Sequence, residues 1–282
     1  MAMTRHTLLG IGSQAFHKLA YVAWGAPESP RVLVCVHGLT RNGRDFDFLA
    51  AALEDRYRVV CPDVVGRGVS AWAAAPADYN NLQYVADATA LLARLGVETV
   101  DWLGTSMGGL IGMVAAAIPG SPIRRLILND IGPFIPKAAL ERIGDYVGKD
   151  PHFADFDAVE QYVRTVHATF GDLSDAQWRH MAEHSARPLD GGGFALAYDP
   201  AIAGAFLGDK IDDVDLWAIW DKITCPVLVL RGAKSDLLKR ETADEMTRRG
   251  PKAELIEFAG CGHAPALMAP EQIAAVRDWL LR

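Results

Sequence analysis

A serine, an aspartate and a histidine, the residue types of nucleophilic hydrolysis, follow one another along this chain. Ser106 lies in the segment Gly104-Thr105-Ser106-Met107-Gly108, a G-x-S-x-G arrangement. Between a strand and a helix, such a segment makes a sharp turn that exposes the serine hydroxyl, and the glycines prevent steric clashes. The segment alone also fits a glycine-rich turn with a solvated serine. The hypothesis of a nucleophile therefore requires a base, an acid and an oxyanion site elsewhere in the chain.

The base and the acid are sought in loops after predicted strands, because a serine needs a base and that base needs an orienting partner. His263 lies in a short loop between the last predicted strand and the last predicted helix. Asp236 and Asp130 each follow a predicted strand, and either could reach that histidine. The order serine, acid, histidine, with the acid in a late loop, favours Asp236. Asp130 stays the alternative, and it could instead cap the start of the following segment.

The other histidines have structural interpretations. His37 lies at a strand end, where an imidazole can fix neighbouring loops by hydrogen bonds, and no catalytic role is assigned to it. Five further histidines occur in a predicted strand or in the predicted helical segment 131–216, where packing or surface roles are expected: His17, His152, His167, His180 and His184. Asp63, Gly66, Gly68 and Ser70 are expected to shape a tight turn beside the site.

Hydrolysis through a tetrahedral intermediate also needs two N–H donors for the developing oxyanion. The backbone N–H of Met107 comes directly after the serine. The second donor is expected in the loop after His37-Gly38, and the backbone N–H of Leu39 is the simplest candidate.

Apolar runs of strand length alternate with helical patterns, which indicates βαβ units and a parallel sheet. The predicted strands are 14–24 (closing an N-terminal hairpin), 32–36, 57–62, 97–103, 125–130, 225–230 and 253–258. Residues 131–216 read as helical, without a convincing strand, and Asp157 with Glu160 and Ser174 with Gln177 are typical helix starts. The chain is therefore predicted to have an α/β core formed by residues 1–131 and 217–282, with a helical insertion at 132–216.

Composition excludes several classes of protein. The 282 residues carry a net charge of −7, so no basic surface indicates nucleic acid as a partner. No apolar run reaches the roughly 20 residues that span a bilayer, and the N-terminus lacks the apolar region of a secretory signal. The four cysteines have no metal-ligand spacing and are expected to be reduced thiols. We therefore expect a cytoplasmic protein without a membrane or metal partner. The sequence does not decide between a monomer and a homodimer.

Taken together, the His37-Gly38-Leu39 loop, the turn from Asp63 to Ser70, the Gly104–Gly108 elbow, Asp236 and Gly262-His263 resemble the α/β-hydrolase superfamily. The resemblance is to capped, esterase-like members with a Ser-His-Asp triad. It implies a mostly parallel eight-stranded sheet with helices on both faces, a helical cap over the site and no cofactor. It also implies that Leu39 and Met107 supply the oxyanion donors. Haloalkane dehalogenases and epoxide hydrolases place aspartate at the elbow, so the serine argues against their chemistry.

The resulting prediction is a serine hydrolase that cleaves a small to medium carboxylic ester through an acyl-enzyme. Four aromatic residues of the insertion are candidates to line the substrate pocket or to pack cap against core: Phe134, Tyr146, Phe153 and Trp178. The same triad would also suit a carbon–carbon bond hydrolase of ring-cleavage products, a thioesterase or a perhydrolase. In a different class, the chain could be a ligand-binding receptor on a hydrolase fold.

Overall fold

The structure, a computed structural model, describes residues 3–206 and 211–282. Residues 1–2 of the predicted core and 207–210 of the predicted insertion lie outside the described residues. The α-helices are α1 (Asp47–Leu53), α2 (Asn81–Leu95), α3 (Met107–Ala117), α4 (Lys137–Gly144), α5 (Phe156–Val166), α6 (Asp175–Ser185), α7 (Trp217–Trp220), α8 (Arg240–Met246) and α9 (Pro270–Leu280). Within the described ranges, none of them combines the length and the hydrophobicity needed to cross a bilayer.

Eight strands form one sheet in the order β1-β2-β4-β3-β5-β6-β11-β12. These strands are β1 (Thr4–Ile11), β2 (Phe16–Trp24), β3 (Val32–Val36), β4 (Arg58–Asp63), β5 (Val100–Thr105), β6 (Ile123–Asn129), β11 (Val227–Gly232) and β12 (Glu254–Phe258). Within this sheet the antiparallel pairs are those of β2, which pairs with β1 in the N-terminal hairpin and with β4 on its other side. The predicted eight-stranded, mostly parallel α/β-hydrolase sheet is therefore confirmed.

Helices cover both faces of this sheet, as the alternation along β3 shows. Val32, Val34 and Val36 belong to the apolar cluster that contains buried residues of α2 and α3. Leu33 and Cys35 point the other way, into the cluster that contains buried residues of α1 and α9. A strand buried on both faces has no polar side, which is why it reads in the sequence as a continuous apolar run.

Residues 132–216, the predicted insertion, lie between β6 and β11 and are called the cap segment here. Its helices are α4, α5 and α6, and none of its described residues joins the eight-stranded sheet. The expectation of a segment without strands was wrong. Two short antiparallel pairs occur there, β7 (Phe134–Ile135) with β10 (Val214–Asp215), and β8 (Ala186–Pro188) with β9 (Phe194–Leu196). Strands of two or three residues are too short to show a period-two pattern.

Of the two predicted helix N-caps in the cap segment, the structure has the one at Ser174 but not the one at Asp157. Ser174 caps α6 and forms a reciprocal capping box with Gln177. At α5, however, the capping side chain is Asp155, which accepts a hydrogen bond from the N–H of Ala158, and Asp157 lies inside the first turn.

Backbone segments lie very close together at the turn from β5 into α3, the elbow that carries Ser106. Ser106 at its apex has a φ of 51°, in the left-handed region that non-glycine residues rarely occupy. A Cβ on Gly104 would lie 2.2 Å from the carbonyl carbon of Gly108, and one on Gly108 would lie 2.0 Å from the carbonyl oxygen of Val36. Both contacts are with backbone, so no side-chain rotation could relieve them.

Replacing Gly108 by alanine should therefore destabilise the whole fold, because α3 must separate from the end of β3 to admit a methyl group. We expect Gly108→Ala to lower the free energy of unfolding by about 3 kcal/mol, measured by urea denaturation. Gly191→Ala is the matched control, since nothing lies within 4 Å of a Cβ there. Equal stability of the two variants would contradict the close approach described for the elbow.

Candidate active site

The structure brings Ser106, His263 and Asp130 into one hydrogen-bonded series. The Nε2 atom of His263 lies 3.0 Å from the Ser106 hydroxyl oxygen, and its Nδ1 atom lies 2.8 Å from a carboxylate oxygen of Asp130. His263 comes from the loop between β12 and α9, as the sequence indicated. All three residues follow the carboxyl ends of parallel strands, where the sheet brings loops together.

The aspartate beside His263 is Asp130, and the expectation that Asp236 takes this position is corrected. The Asp130 side chain has no exposed surface. Besides His263, it accepts a hydrogen bond from the N–H of Gly232 at 2.7 Å and one from the hydroxyl of Ser235 at 2.5 Å. A buried carboxylate is costly unless its oxygens receive donors, and these three satisfy it.

Asp236 directly follows Ser235 in the loop after β11, and its side chain pairs with the cap segment instead of with His263. It accepts a hydrogen bond at 3.1 Å from Arg142 of α4, and both side chains are 44% exposed. The carboxylate therefore joins the loop after β11 to the cap segment. Order in the sequence favoured the wrong acid here, because both acids follow strands and both precede His263.

The loop after β3 lies beside the serine. A Cβ on Gly38 would be 3.8 Å from that of Ser106. Met107 is the first residue of α3, so its N–H has no acceptor within the helix. Among the described residues, neither its N–H nor that of Leu39 has a hydrogen-bond acceptor. The two predicted oxyanion donors are thus free, and assigning them that role stays a proposal.

His37 holds this loop in place. Its Nε2 atom accepts a hydrogen bond from the N–H of Val64 at 3.0 Å, so Nδ1 carries the proton and donates to the Gly38 carbonyl at 2.7 Å. Burial lowers the pKa of the imidazole to about 4, so it stays neutral. This geometry matches the structural role expected for His37.

Comparison with known proteins decides the family. The family model described as the alpha/beta hydrolase fold matches residues 31–270. The chain is 48% identical over 272 residues to the 3-hydroxybutyrate-oligomer hydrolase of Cupriavidus necator, covering 94% of this chain and 93% of that protein. The protein belongs to the α/β-hydrolase family.

Two further relatives agree. An alpha/beta hydrolase from Novosphingobium aromaticivorans superposes with a TM-score of 0.87 at 37% identity, covering 99% of this chain and 98% of that one. The 2-(acetamidomethylene)succinate hydrolase of Mesorhizobium japonicum is 27% identical over 85% of this chain and 84% of its own length. This chain is therefore a hydrolase.

Arg67 of this hydrolase is a residue that the sequence analysis missed. It is fully buried, and its guanidinium donates to the Leu39 carbonyl at 2.9 Å and to the Val65 carbonyl at 2.8 Å. It also contacts the sulfur of Met107 at 3.5 Å. Arg67 thus links the two residues whose N–H groups are the candidate oxyanion donors. The only signal in the sequence was its place between Gly66 and Gly68 in the tight turn.

Ser106 and His263 open into a cavity between the sheet edge and the cap segment. Around them the cavity is lined by Gly38, Leu39, Thr40, Arg41, Asp45, Phe46, Thr105, Arg142, Ile143, Tyr146, Val166, His167, Thr169, Phe170, Met181, Ala264, Pro265, Ala266 and Met268. Arg41 is held there by hydrogen bonds to Asp45 and to Ser185. Burial opposes the charge of Asp45, but Arg41 outweighs it and lowers the pKa of this carboxyl.

Of the four aromatic residues predicted for the pocket, the structure places Tyr146 in this wall. The other three lie elsewhere, so their expected positions are corrected. Phe134 pairs with Asp215 in the short ladder of β7 and β10. Phe153 packs edge-on against Tyr162, and Trp178 is buried in the apolar cluster of α5 and α6. Phe153 and Trp178 therefore contribute to packing within the cap segment.

Within the described ranges, one group has the spacing of metal ligands: Asp47, His180 and His184, with ligand atoms within 4.8 Å of one another. Arg44 donates to the Asp47 carboxylate at 2.8 Å, and Nε2 of His180 hydrogen-bonds the Arg44 carbonyl at 2.9 Å. These contacts satisfy Asp47 and His180 without an ion. None of the three residues lines the Ser106 cavity.

The two aspartates can be separated by a matched pair of substitutions. Asp130→Asn should lower kcat/KM for p-nitrophenyl butyrate by about 10⁴, because the amide cannot hold the histidine in the required tautomer. Asp236→Asn, which removes one partner of an exposed ion pair, should change it by less than about fivefold. The reverse pattern would restore Asp236 as the acid.

Proposed function

We propose that this hydrolase cleaves the ester bonds of short linear oligomers of 3-hydroxyalkanoic acids, with 3-hydroxybutyrate as the representative unit. The observation that carries the proposal is the Ser106–His263–Asp130 series beneath a cavity in a chain 48% identical to an oligomer hydrolase of that kind. The identity extends over nearly the whole length of both proteins, so it includes the cap segment, which supplies part of the cavity wall.

In the proposed reaction, Ser106 is the nucleophile and His263 is the general base. The imidazole takes the hydroxyl proton as the serine oxygen attacks the ester carbonyl, and Asp130 stabilises the resulting imidazolium. The N–H groups of Leu39 and Met107 then bind the oxyanion of the tetrahedral intermediate. The left-handed backbone at Ser106 directs its hydroxyl towards His263 at the start of α3.

The intermediate collapses when His263 returns its proton to the leaving alkoxide. In an oligomer this leaving group is the hydroxyl of the next unit, so one shortened chain departs and the acyl group stays on Ser106. His263 next deprotonates a water molecule, which attacks the acyl-enzyme. Release of the carboxylic acid returns the proton to the serine oxygen and restores the site.

The direct test is hydrolysis of the linear trimer of 3-hydroxybutyrate, with monomer release followed by chromatography. We expect turnover by the wild-type protein and a loss of roughly a thousandfold or more in Ser106→Ala and His263→Ala, because members of a triad act as a unit. Ser13→Ala and His152→Ala are matched controls at residues outside the cavity, and they should retain full activity.

Substrates of the rival reactions belong in the same experiment. A butyryl thioester tests a thioesterase, and a vinylogous diketone tests a carbon–carbon hydrolase. If either were turned over far faster than the trimer and p-nitrophenyl butyrate, the oligoester proposal would fail. If a phosphonate that reacts with activated serines left Ser106 unlabelled in folded protein, the acyl-enzyme mechanism would fail as well.

A further inference from the structure

His167 is a buried polar side chain in the active-site cavity that the proposed mechanism does not use. It follows α5 directly and is 9% exposed. Its backbone N–H bonds to the Val163 carbonyl, and its carbonyl accepts from the N–H of Phe170. Its ring packs against that of Phe170, with centroids 4.6 Å apart. Throughout residues 3–206 and 211–282, no group hydrogen-bonds either nitrogen of the His167 ring.

The imidazole of His167 is neutral. Burial lowers its pKa to about 3, and the positive charge of Arg41 acts in the same direction, partly offset by Asp45. A neutral imidazole presents one N–H donor and one nitrogen acceptor. Buried groups of this kind are normally satisfied within the protein, so the unpaired nitrogens of a side chain that lines a cavity suit a ligand.

Arg41, the neighbouring cation, is already paired with a carboxylate, which weakens it as a receptor for a substrate carboxylate. Its Nε atom donates to Asp45 at 2.9 Å and its Nη1 atom donates to Ser185 at 2.6 Å. Its charge is therefore balanced within the wall of the cavity. In the wall of the cavity that contains Ser106, His167 offers a neutral donor and acceptor. These match a hydroxyl group, since a hydroxyl both donates and accepts.

A hydroxyl is the group that distinguishes the proposed substrate from an ordinary acyl ester. In a 3-hydroxyacyl unit, the carbon that carries it is separated from the reacting carbonyl by a single methylene group. When Ser106 attacks the last ester bond next to the hydroxyl end, this free hydroxyl enters the same cavity as the carbonyl. His167 lines that cavity together with Ser106, His263 and Leu39.

We propose that His167 binds the free 3-hydroxyl of the acyl unit and selects 3-hydroxyacyl esters over their deoxy analogues. The inference rests on the proposed function and makes it more specific. It assigns the acyl side of the site to the hydroxyl-terminal unit of the oligomer. His167 is then a specificity residue of the substrate site, distinct from the residues that transfer protons.

The test compares p-nitrophenyl 3-hydroxybutyrate with p-nitrophenyl butyrate, which differ only in the hydroxyl. The quantity measured is the ratio of their kcat/KM values. We expect the wild-type ratio to favour the hydroxy ester and to fall by roughly tenfold in His167→Phe, because the hydroxyl loses its partner. His167→Gln keeps a donor and an acceptor and should retain part of the preference.

His152→Phe is the matched control, a cap-segment histidine whose side chain is 63% exposed. Its ratio should equal that of the wild type. Because the ratio compares two substrates in one protein, a partly folded variant lowers both rates and leaves it unchanged. An unchanged ratio in His167→Phe would therefore overturn the inference. The inference would also be overturned if the wild-type enzyme hydrolysed the trimer without preferring the hydroxy ester. Failure to hydrolyse the trimer would instead contradict the proposed function.

Discussion

The carboxylate of Asp130 is the buried charge on which the arrangement of the site depends. Its oxygens receive donors from three separate parts of the chain: Gly232 at the end of β11, Ser235 in the following loop, and His263 after β12. Water cannot replace these donors, because the side chain has no exposed surface. The loops at this sheet edge must therefore keep their positions, and with them the histidine stays within reach of Ser106.

The loop after β11 divides two tasks between neighbouring residues. Ser235 is buried and donates to Asp130, whereas Asp236 is exposed and pairs with Arg142 of the cap segment. A second connection lies on the other side of the site, where Gly68 donates to the Ala197 carbonyl. The preceding residue, Arg67, donates to the Leu39 carbonyl. At these two places, a contact with the cap segment thus lies one residue away from a residue that shapes the proposed triad or oxyanion site.

The sequence predicts those parts of the molecule that are determined by short segments of neighbouring residues. Strands buried on both faces must be apolar throughout, and a turn that brings Gly108 against Val36 tolerates no side chain, so both leave clear patterns. The identity of the acid instead depends on contacts between residues far apart in the sequence. Asp130 and Asp236 both follow strands, and only the hydrogen bonds between the folded loops show which one faces His263. The cap segment was hardest to predict, because aromatic residues such as Phe153 and Trp178 look alike whether they face a cavity or each other.

The electrostatics of the cavity suit the ester and hydroxyl groups of an oligomer better than its terminal carboxylate. Each of the two arginines in its wall already has a carboxylate partner, Arg41 with Asp45 and Arg142 with Asp236. His167 stays neutral, because burial and the charge of Arg41 lower the pKa of its imidazole. The wall therefore offers hydrogen-bonding groups without a net charge to attract a carboxylate. An ester chain can enter such a site without an ionic contact, and the acid formed by its hydrolysis finds no free cation to retain it.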